Sequence, residues 1–370
     1  MKLRHFKELD GVRAIAALMV MFFHFFQGVT SVDTTLLTIK KYAVFGQTGV
    51  SLFFVLSGFL ITRILLNTKQ STSYFLNFYT RRALRIFPLY YLFLTFFYFV
   101  IPIAEGTTVV PLNQQIWYWV YLQNVAITFN WKNVGPRHFW SLAVEEHFYL
   151  FWPFIVYFFD KKKIQISIYL IIILAFITRL VLVKSHHEVF YFTLSRMDEL
   201  AVGAMLAILE INGKLTPANS NKFMLSFCLI VIPTLGLWVF TAGLGIGAIQ
   251  VSKFILLSFC YFSLIGLVIT LQEMHWIKKV LKFRLLTYTG KISYGLYVYH
   301  PLCFYLVSKY FKTHSILLSF ISSFAVSYLL ASLSYYLFES KFLSLKKKFD
   351  YKQTNKQSFR LKYSQPSYFQ

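Results

Sequence analysis

Arg13 and His24 stand eleven residues apart in an apolar run near the start of the chain. At 3.6 residues per turn that is about three turns, so both side chains share one helix face, roughly 16 Å apart at helical rise. Taken singly, each has an ordinary explanation: an arginine snorkelling at a membrane boundary, and a histidine hydrogen-bonded between helices. Polar side chains at membrane depth are costly, however, and a group of them points to function. Glu145, in FWSLAVEEHFYLFWP, falls about six residues into its own run, roughly 9 Å deep and close to the depth of His24. A carboxylate there can orient the imidazole and stabilise its protonated form, as a general base requires. The alternative is a structural ion pair, for instance with Arg196. Glu146 and His147 point to other faces of the same helix.

Two further groups complete the set. Arg196, Asp198 and Glu199, in RMDELAVGAMLA, suggest a cavity lined by water or substrate, with a buried ion-pair network as the rival reading. Arg81, Arg82 and Arg85, in FYTRRALRIFPLYY, are spaced so that Arg82 and Arg85 point together. Guanidinium forks suit phosphate, and the alternative is ordinary charge against lipid.

The elements that must position these residues follow from composition. Of 370 residues, 57% are hydrophobic, 20% aromatic and 14% charged, and the apolar residues recur in runs near the roughly 20 needed to span a bilayer. Candidate spans are residues 11–29, 44–66, 86–104, 139–159, 164–183, 190–210, 223–243, 251–271, 288–310 and 315–338. An all-α, polytopic membrane protein of about ten helices is therefore expected, with no soluble domain to carry an activity. Of the 37 Lys and Arg, 27 collect on one side when the amino terminus is placed in the cytoplasm. The positive-inside rule then puts both termini there. The net charge of +23 is thus explained by anionic lipid headgroups rather than nucleic acid. Cys228, Cys260 and Cys303 lie in apolar runs without a CxxC pair, so neither a disulfide framework nor a metal site is expected. The basic, apolar start lacks a small-residue cleavage site and reads as a retained first helix. Residues 116–126, rich in Trp and Tyr, are too short to span and are expected to be interfacial or re-entrant. Residues 341–370 read as a basic, disordered cytoplasmic tail. No internal repeat is found.

Six ordered motifs, LDGVRAIAALMVMFFHF, GVSLFFVLSGFLIT, FYTRRALRIFPLYY, FWSLAVEEHFYLFWP, RMDELAVGAMLA and ISYGLYVYHPL, resemble those of the bacterial acyltransferase type 3 family over about residues 7–340. These are membrane O-acyltransferases that modify lipopolysaccharide O-antigen, peptidoglycan and exopolysaccharides. The resemblance implies a ten-helix core, a catalytic His24 supported by Arg13, a functional Glu145, and an arginine cluster at Arg81, Arg82 and Arg85. It further suggests Asp10, Ser57, Arg196, Asp198, Tyr294 and His300 as supporting or substrate-facing positions. The implied donor is cytosolic acyl-CoA, usually acetyl-CoA, with no bound cofactor. The implied acceptor is a hydroxyl of a cell-surface glycan or lipid-linked saccharide, reached in the inner or plasma membrane. His24 would serve as base or as acyl carrier. One departure is Glu339-Ser340-Lys341 where the family often reads Glu-x-Pro. Many relatives also carry a carboxy-terminal SGNH-type hydrolase domain, which this sequence is expected to lack. The reading from another class is a transporter or lipid-linked glycan flippase with proton-coupled intramembrane residues. Against it stands the absence of an inverted repeat. A purely structural scaffold would need no ionisable groups at matched depth.

Overall fold

The computed structural model describes residues 5–29, 33–241, 248–311, 313 and 315–350. Every element among them is helical, as a chain in hydrocarbon requires, because a helix satisfies its backbone N–H and C=O groups within its own segment. Ten of the helices are at least 19 residues long. They are α1 Lys7–Gly28, α2 Gly49–Thr68, α3 Tyr74–Thr95, α4 Trp140–Phe158, α5 Lys161–Lys184, α6 Thr193–Ile211, α7 Ser220–Phe240, α8 Ala248–Thr270, α9 Arg284–Tyr310 and α10 Ile316–Ser334.

Among the described residues seven stretches are long and apolar enough to cross a membrane: Lys7–Gly28, Thr34–Thr68, Tyr74–Glu105, Lys161–Lys184, Pro217–Phe240, Ile249–Thr270 and Ile316–Phe349. The other three long helices, α4, α6 and α9, are the ones that carry Glu145, the Arg196–Glu199 group and His300. The architecture is that of a multi-pass membrane protein.

Small residues set the closest helix crossings. A Cβ on Gly58 of α2 would lie 1.9 Å from the Leu200 carbonyl oxygen of α6, and one on Gly203 would lie 2.0 Å from that of Val55. The two backbones therefore touch, as small-residue stripes permit where lipid gives no hydrophobic drive for association. Gly290 of α9 meets Asp10 of α1 in the same way, its Cβ position 2.0 Å from the Asp10 carbonyl oxygen. That contact locks α1 to α9 and brings His24 beside His300 further along the pair.

Three elements differ from the sequence expectation. The third long helix begins at Tyr74 rather than near residue 86, so the arginine cluster is helical. A π-turn at Phe96–Val100 precedes Pro102, whose missing N–H cannot complete a regular turn. The segment after α10 is not loose as far as Phe349: Ser340–Leu345 and Lys346–Phe349 are helical. Asp350 accepts an ion pair from Arg81 at 2.6 Å. Residues 351–370 of the expected tail lie outside the described residues. Around residues 116–126, two short helices, Leu112–Trp119 and Gln123–Thr128, tuck into the bundle. Tyr90 donates to the Tyr118 carbonyl at 2.7 Å, and Gln123 to that of Phe139 at 2.8 Å.

Candidate active site

The polar residues gather around three cavities that share walls. The inner one lies toward the amino-terminal end of α1 and is lined by Asp10, Arg13, Ser57, Arg82, Arg85 and Glu145, among others. Arg82 and Arg85, one helical turn apart, both face it. Among the described residues neither guanidinium has an ion pair or hydrogen bond to the protein; Arg82 instead lies 4.9 Å over the Tyr149 ring. Arg13 is held by Asp10 at 3.2 Å, and Asp10 also meets His5 at 2.9 Å. Ser57 donates to Glu145 at 2.8 Å. Arg81 turns aside, bound to Asp350 and to the carbonyl of Lys346 at 3.0 Å. The expectation of three arginines acting together thus reduces to two. A second cavity, bounded by Arg284, Lys291 and Glu339, shares Asp10, Arg13, Arg85 and Tyr294 with the inner one and continues it toward the same end.

The outer cavity, of about 680 Å³, is lined by His24, His138, Trp140, Phe190, Tyr191 and Arg137, among others. Volumes of roughly 300–1,000 Å³ suit small ligands, and aromatic walls suit sugar rings. His24 Nδ1 lies 2.7 Å from His300 Nε2, with the two rings 23° from parallel. His300 Nδ1 is 3.0 Å from the Leu296 carbonyl oxygen, and His138 Nε2 is 3.2 Å from that of Val298. The ring centres of His24 and His138 are 6.5 Å apart. Val50 and Tyr297 line both this cavity and the inner one. Tyr297 is pinned by donating to the His138 carbonyl and by a hydrogen bond with Ser141.

The direct His24–Glu145 pair expected from matched depth does not form. His24 faces the outer cavity and bonds His300, whereas Glu145 faces the inner one and bonds Ser57. Counting from helix ends placed the two side by side. Trp140, at the start of α4, lines the outer cavity, and Glu145 sits more than a turn further along, on the other side of the Tyr297 wall.

The Arg196 group resolves into a buried ion-pair network rather than a cavity. Arg196 bonds Glu199 at 3.0 Å and Ser51 at 3.1 Å, and its guanidinium is stacked on aromatic rings, with Phe254 at 4.2 Å. Asp198 pairs with Arg179 of α5 at 2.8 Å. All four charges are at most 1% exposed, and none lines the three cavities. Of the other suggested positions, Asp10, Ser57 and Tyr294 line the inner cavity, and His300 lies behind His24, fully buried. His138 and Arg179 were not singled out from sequence. His138 carried only a weak signal, a histidine at the mouth of the fourth span. Arg179 carried none beyond its charge. Among the described residues no group of His, Cys, Asp or Glu is arranged to hold a metal; both nitrogens of His300 are already engaged.

This arrangement can hold an anion at one end, admit a slender arm along its length, and offer an imidazole at the other. A family model described as an acyltransferase domain matches residues 6–336. Among curated proteins, the chain is 27% identical over 376 residues to "Putative O-acetyltransferase SACOL0978" of Staphylococcus aureus (strain COL), covering 92% of this chain and 58% of that protein. It is 26% identical over 363 residues to "O-acetyltransferase OatA" of Staphylococcus aureus (strain NCTC 8325 / PS 47), covering 91% and 57%. The chain thus spans somewhat over half the length of these relatives. No solved structure matches. With a match across nearly the whole helical bundle, the chain belongs to the acyltransferase type 3 family.

Proposed function

We propose that the chain is a ten-span O-acyltransferase of the cell membrane, with both termini cytoplasmic, that moves an acetyl group from acetyl-CoA to a hydroxyl of a cell-surface glycan or lipid-linked saccharide. The observation that carries this reading is the line of wall-sharing cavities from the free forks of Arg82 and Arg85 to the imidazole of His24. Two guanidiniums that, among the described residues, make no hydrogen bond or ion pair to the protein are suited to the phosphates of CoA. The pantetheine arm would lie in the inner cavity past Arg13, its thioester reaching the wall at Val50 and Tyr297. His24 would take the proton of the acceptor hydroxyl as its oxygen attacks the thioester carbonyl. The C–O bond forms, the C–S bond breaks, and the proton passes to the departing thiolate sulfur. Covalent passage of the acetyl group through His24 is the variant of the same route. Glu145 stands within electrostatic reach of Arg82 and Arg85, which fits a role in shaping the donor site rather than in orienting His24. The names of the staphylococcal relatives support acetyl as the group transferred.

The test is transfer of labelled acetyl from acetyl-CoA in membranes bearing the wild-type chain, His24→Ala, or the double variant Arg82→Ala/Arg85→Ala. The expected result is loss of transfer with the first variant and a raised KM for acetyl-CoA with the second. Wild-type kinetics in both would overturn the reading.

A further inference from the structure

We propose that His300 is a positioning residue that fixes the tautomer of His24, so that the Nε2 lone pair of His24 faces the outer cavity. The inference rests on the reading of His24 as the base. A carbonyl oxygen can only accept, so the 3.0 Å contact to Leu296 makes His300 Nδ1 a donor. Pro301 has no N–H and leaves the Tyr297 carbonyl unclaimed by the helix, a second acceptor within reach of His300 and of His138. At 2.7 Å, His300 Nε2 and His24 Nδ1 cannot both carry hydrogen. Were His300 the donor at that contact too, it would be an imidazolium. It is 0% exposed and touches no carboxylate among the described residues, and a buried charge without a counter-charge is strongly disfavoured. His300 is therefore neutral with its lone pair on Nε2, and His24 Nδ1 donates to it. A neutral imidazole carries one hydrogen, so Nε2 of His24 is the bare nitrogen.

The geometry agrees with that assignment. His24 is half-buried and lines the outer cavity, and its only hydrogen bond among the described residues is the one to His300. Nε2 is thus the atom left to meet an acceptor hydroxyl. The relay runs from the Leu296 carbonyl through His300 to His24, with a neutral imidazole nitrogen, itself fixed by a main-chain oxygen, where serine hydrolases place a carboxylate. It sets which nitrogen is basic without adding a charge to the bundle. When Nε2 takes the hydroxyl proton, the resulting imidazolium keeps its Nδ1–H on the His300 lone pair. The proton then leaves to the thiolate, and both rings return to their starting tautomers.

The experiment is nitrogen-15 NMR of histidine-labelled full-length protein in lipid nanodiscs, read beside acetyl-transfer kinetics. The His24 resonances, identified by their loss in His24→Asn, are expected to show a protonated Nδ1 and a bare Nε2. In His300→Leu, kcat is expected to fall about 10²–10⁴-fold, with KM for acetyl-CoA unchanged within about twofold and the His24 hydrogen shifting toward Nε2. In His300→Gln, the amide oxygen occupies the former Nε2 position and accepts the same hydrogen, so at least tenfold of the loss should return. A bare Nδ1 on wild-type His24 would overturn the proposal. So would wild-type kcat in His300→Leu, or His300→Gln no better than His300→Leu at equal folded amounts. If instead His24→Ala itself transfers acetyl normally, the site reading fails whatever the tautomer.

Discussion

Ser57 of α2 and Glu145 of α4 are joined by a 2.8 Å hydrogen bond in which the hydroxyl donates, and this bond turns the carboxylate toward the arginines and away from His24. Glu145→Gln preserves an acceptor for Ser57 while removing the charge beside Arg82 and Arg85. It is expected to change KM for acetyl-CoA several-fold and to leave kcat within a few-fold. A collapse of kcat at constant KM would instead restore direct pairing of Glu145 with His24.

Among the described residues Arg82 and Arg85 have no hydrogen-bonded or ion-paired protein partner, so their contribution should appear on donor binding. A hydrogen bond to a charged group contributes roughly 1.5–3 kcal/mol. Arg82→Ala or Arg85→Ala should accordingly raise KM for acetyl-CoA about ten- to a hundredfold. Arg81→Ala should leave KM nearly unchanged, because that guanidinium is engaged by Asp350 and by the Lys346 carbonyl. Initial-rate kinetics on the three variants distinguish them.

Arg179 and Asp198 form a buried pair at 2.8 Å. Removing one partner from such a pair costs about 3–5 kcal/mol, because it strands the other charge. Asp198→Ala should sharply reduce the folded yield and thermal midpoint in detergent. Arg179→Met/Asp198→Leu should recover most of the loss, and activity per folded molecule should stay near wild type throughout. Recovery absent from the double variant would show that the charges do more than pair.

The α2–α6 crossing should tolerate no side chain at its glycines. A Cβ at Gly58 or Gly203 would fall 1.9 and 2.0 Å respectively from a carbonyl oxygen, far inside the 3.0 Å that Cβ atoms essentially never breach. Gly58→Ala and Gly203→Ala are expected to lower the thermal midpoint strongly, whereas Gly213→Ala at the surface should act only through its positive φ of 66°. Melting curves of the three purified variants provide the comparison.

Beyond the end of α8, Lys282 donates a hydrogen bond to Glu273 and holds its carboxyl down to about 2, below its ordinary 4.5. A depressed carboxylate stabilises the fold at pH values above the unfolded value and loses that contribution as pH falls through the folded one. The thermal midpoint should therefore decline between pH 4.5 and 2, and Glu273→Gln should flatten that decline. Glu273 is largely exposed, so added salt should shrink the effect.

Much of the bundle was legible in the chain because a membrane restricts the choices to length, apolarity and charge bias. Each of the ten runs read from hydropathy overlaps a long helix, seven of them in stretches long and apolar enough to span a membrane, although the third helix begins twelve residues before its run; the three-residue spacing of Arg82 and Arg85 matches their common face. What sequence could not supply was rotation of one helix against another. His24 and His300 are 276 residues apart, and it is the close packing of α1 on α9, with Gly290 against Asp10, that brings them into register. Depth alone suggested Glu145 as the partner of His24, since depth says nothing about which face a residue presents. Arg179 shows the same blindness: a charge in the middle of a run announces a partner without naming it. The arginine cluster lost Arg81 to Asp350, in a segment whose composition resembled a loose tail but whose first residues pack on α3.

The wall shared by the two main cavities has an electrical meaning. A bundle whose chambers merged into one wet passage would leak ions, and each elementary charge crossing 100 mV dissipates about 2.3 kcal/mol of the cell's stored energy. Val50 and the phenol of Tyr297, tied to Ser141 and to the His138 carbonyl, stand between the chambers. Hydrated ions would meet a valine and an already satisfied hydroxyl there, while the end of a thin thioester would need only to slip between them to bring its carbonyl within bonding distance of a hydroxyl beside His24. On the proposed function, such a partition would separate the delivery of a chemical group from the conduction of current, so that a membrane carrying the protein would stay insulating during turnover.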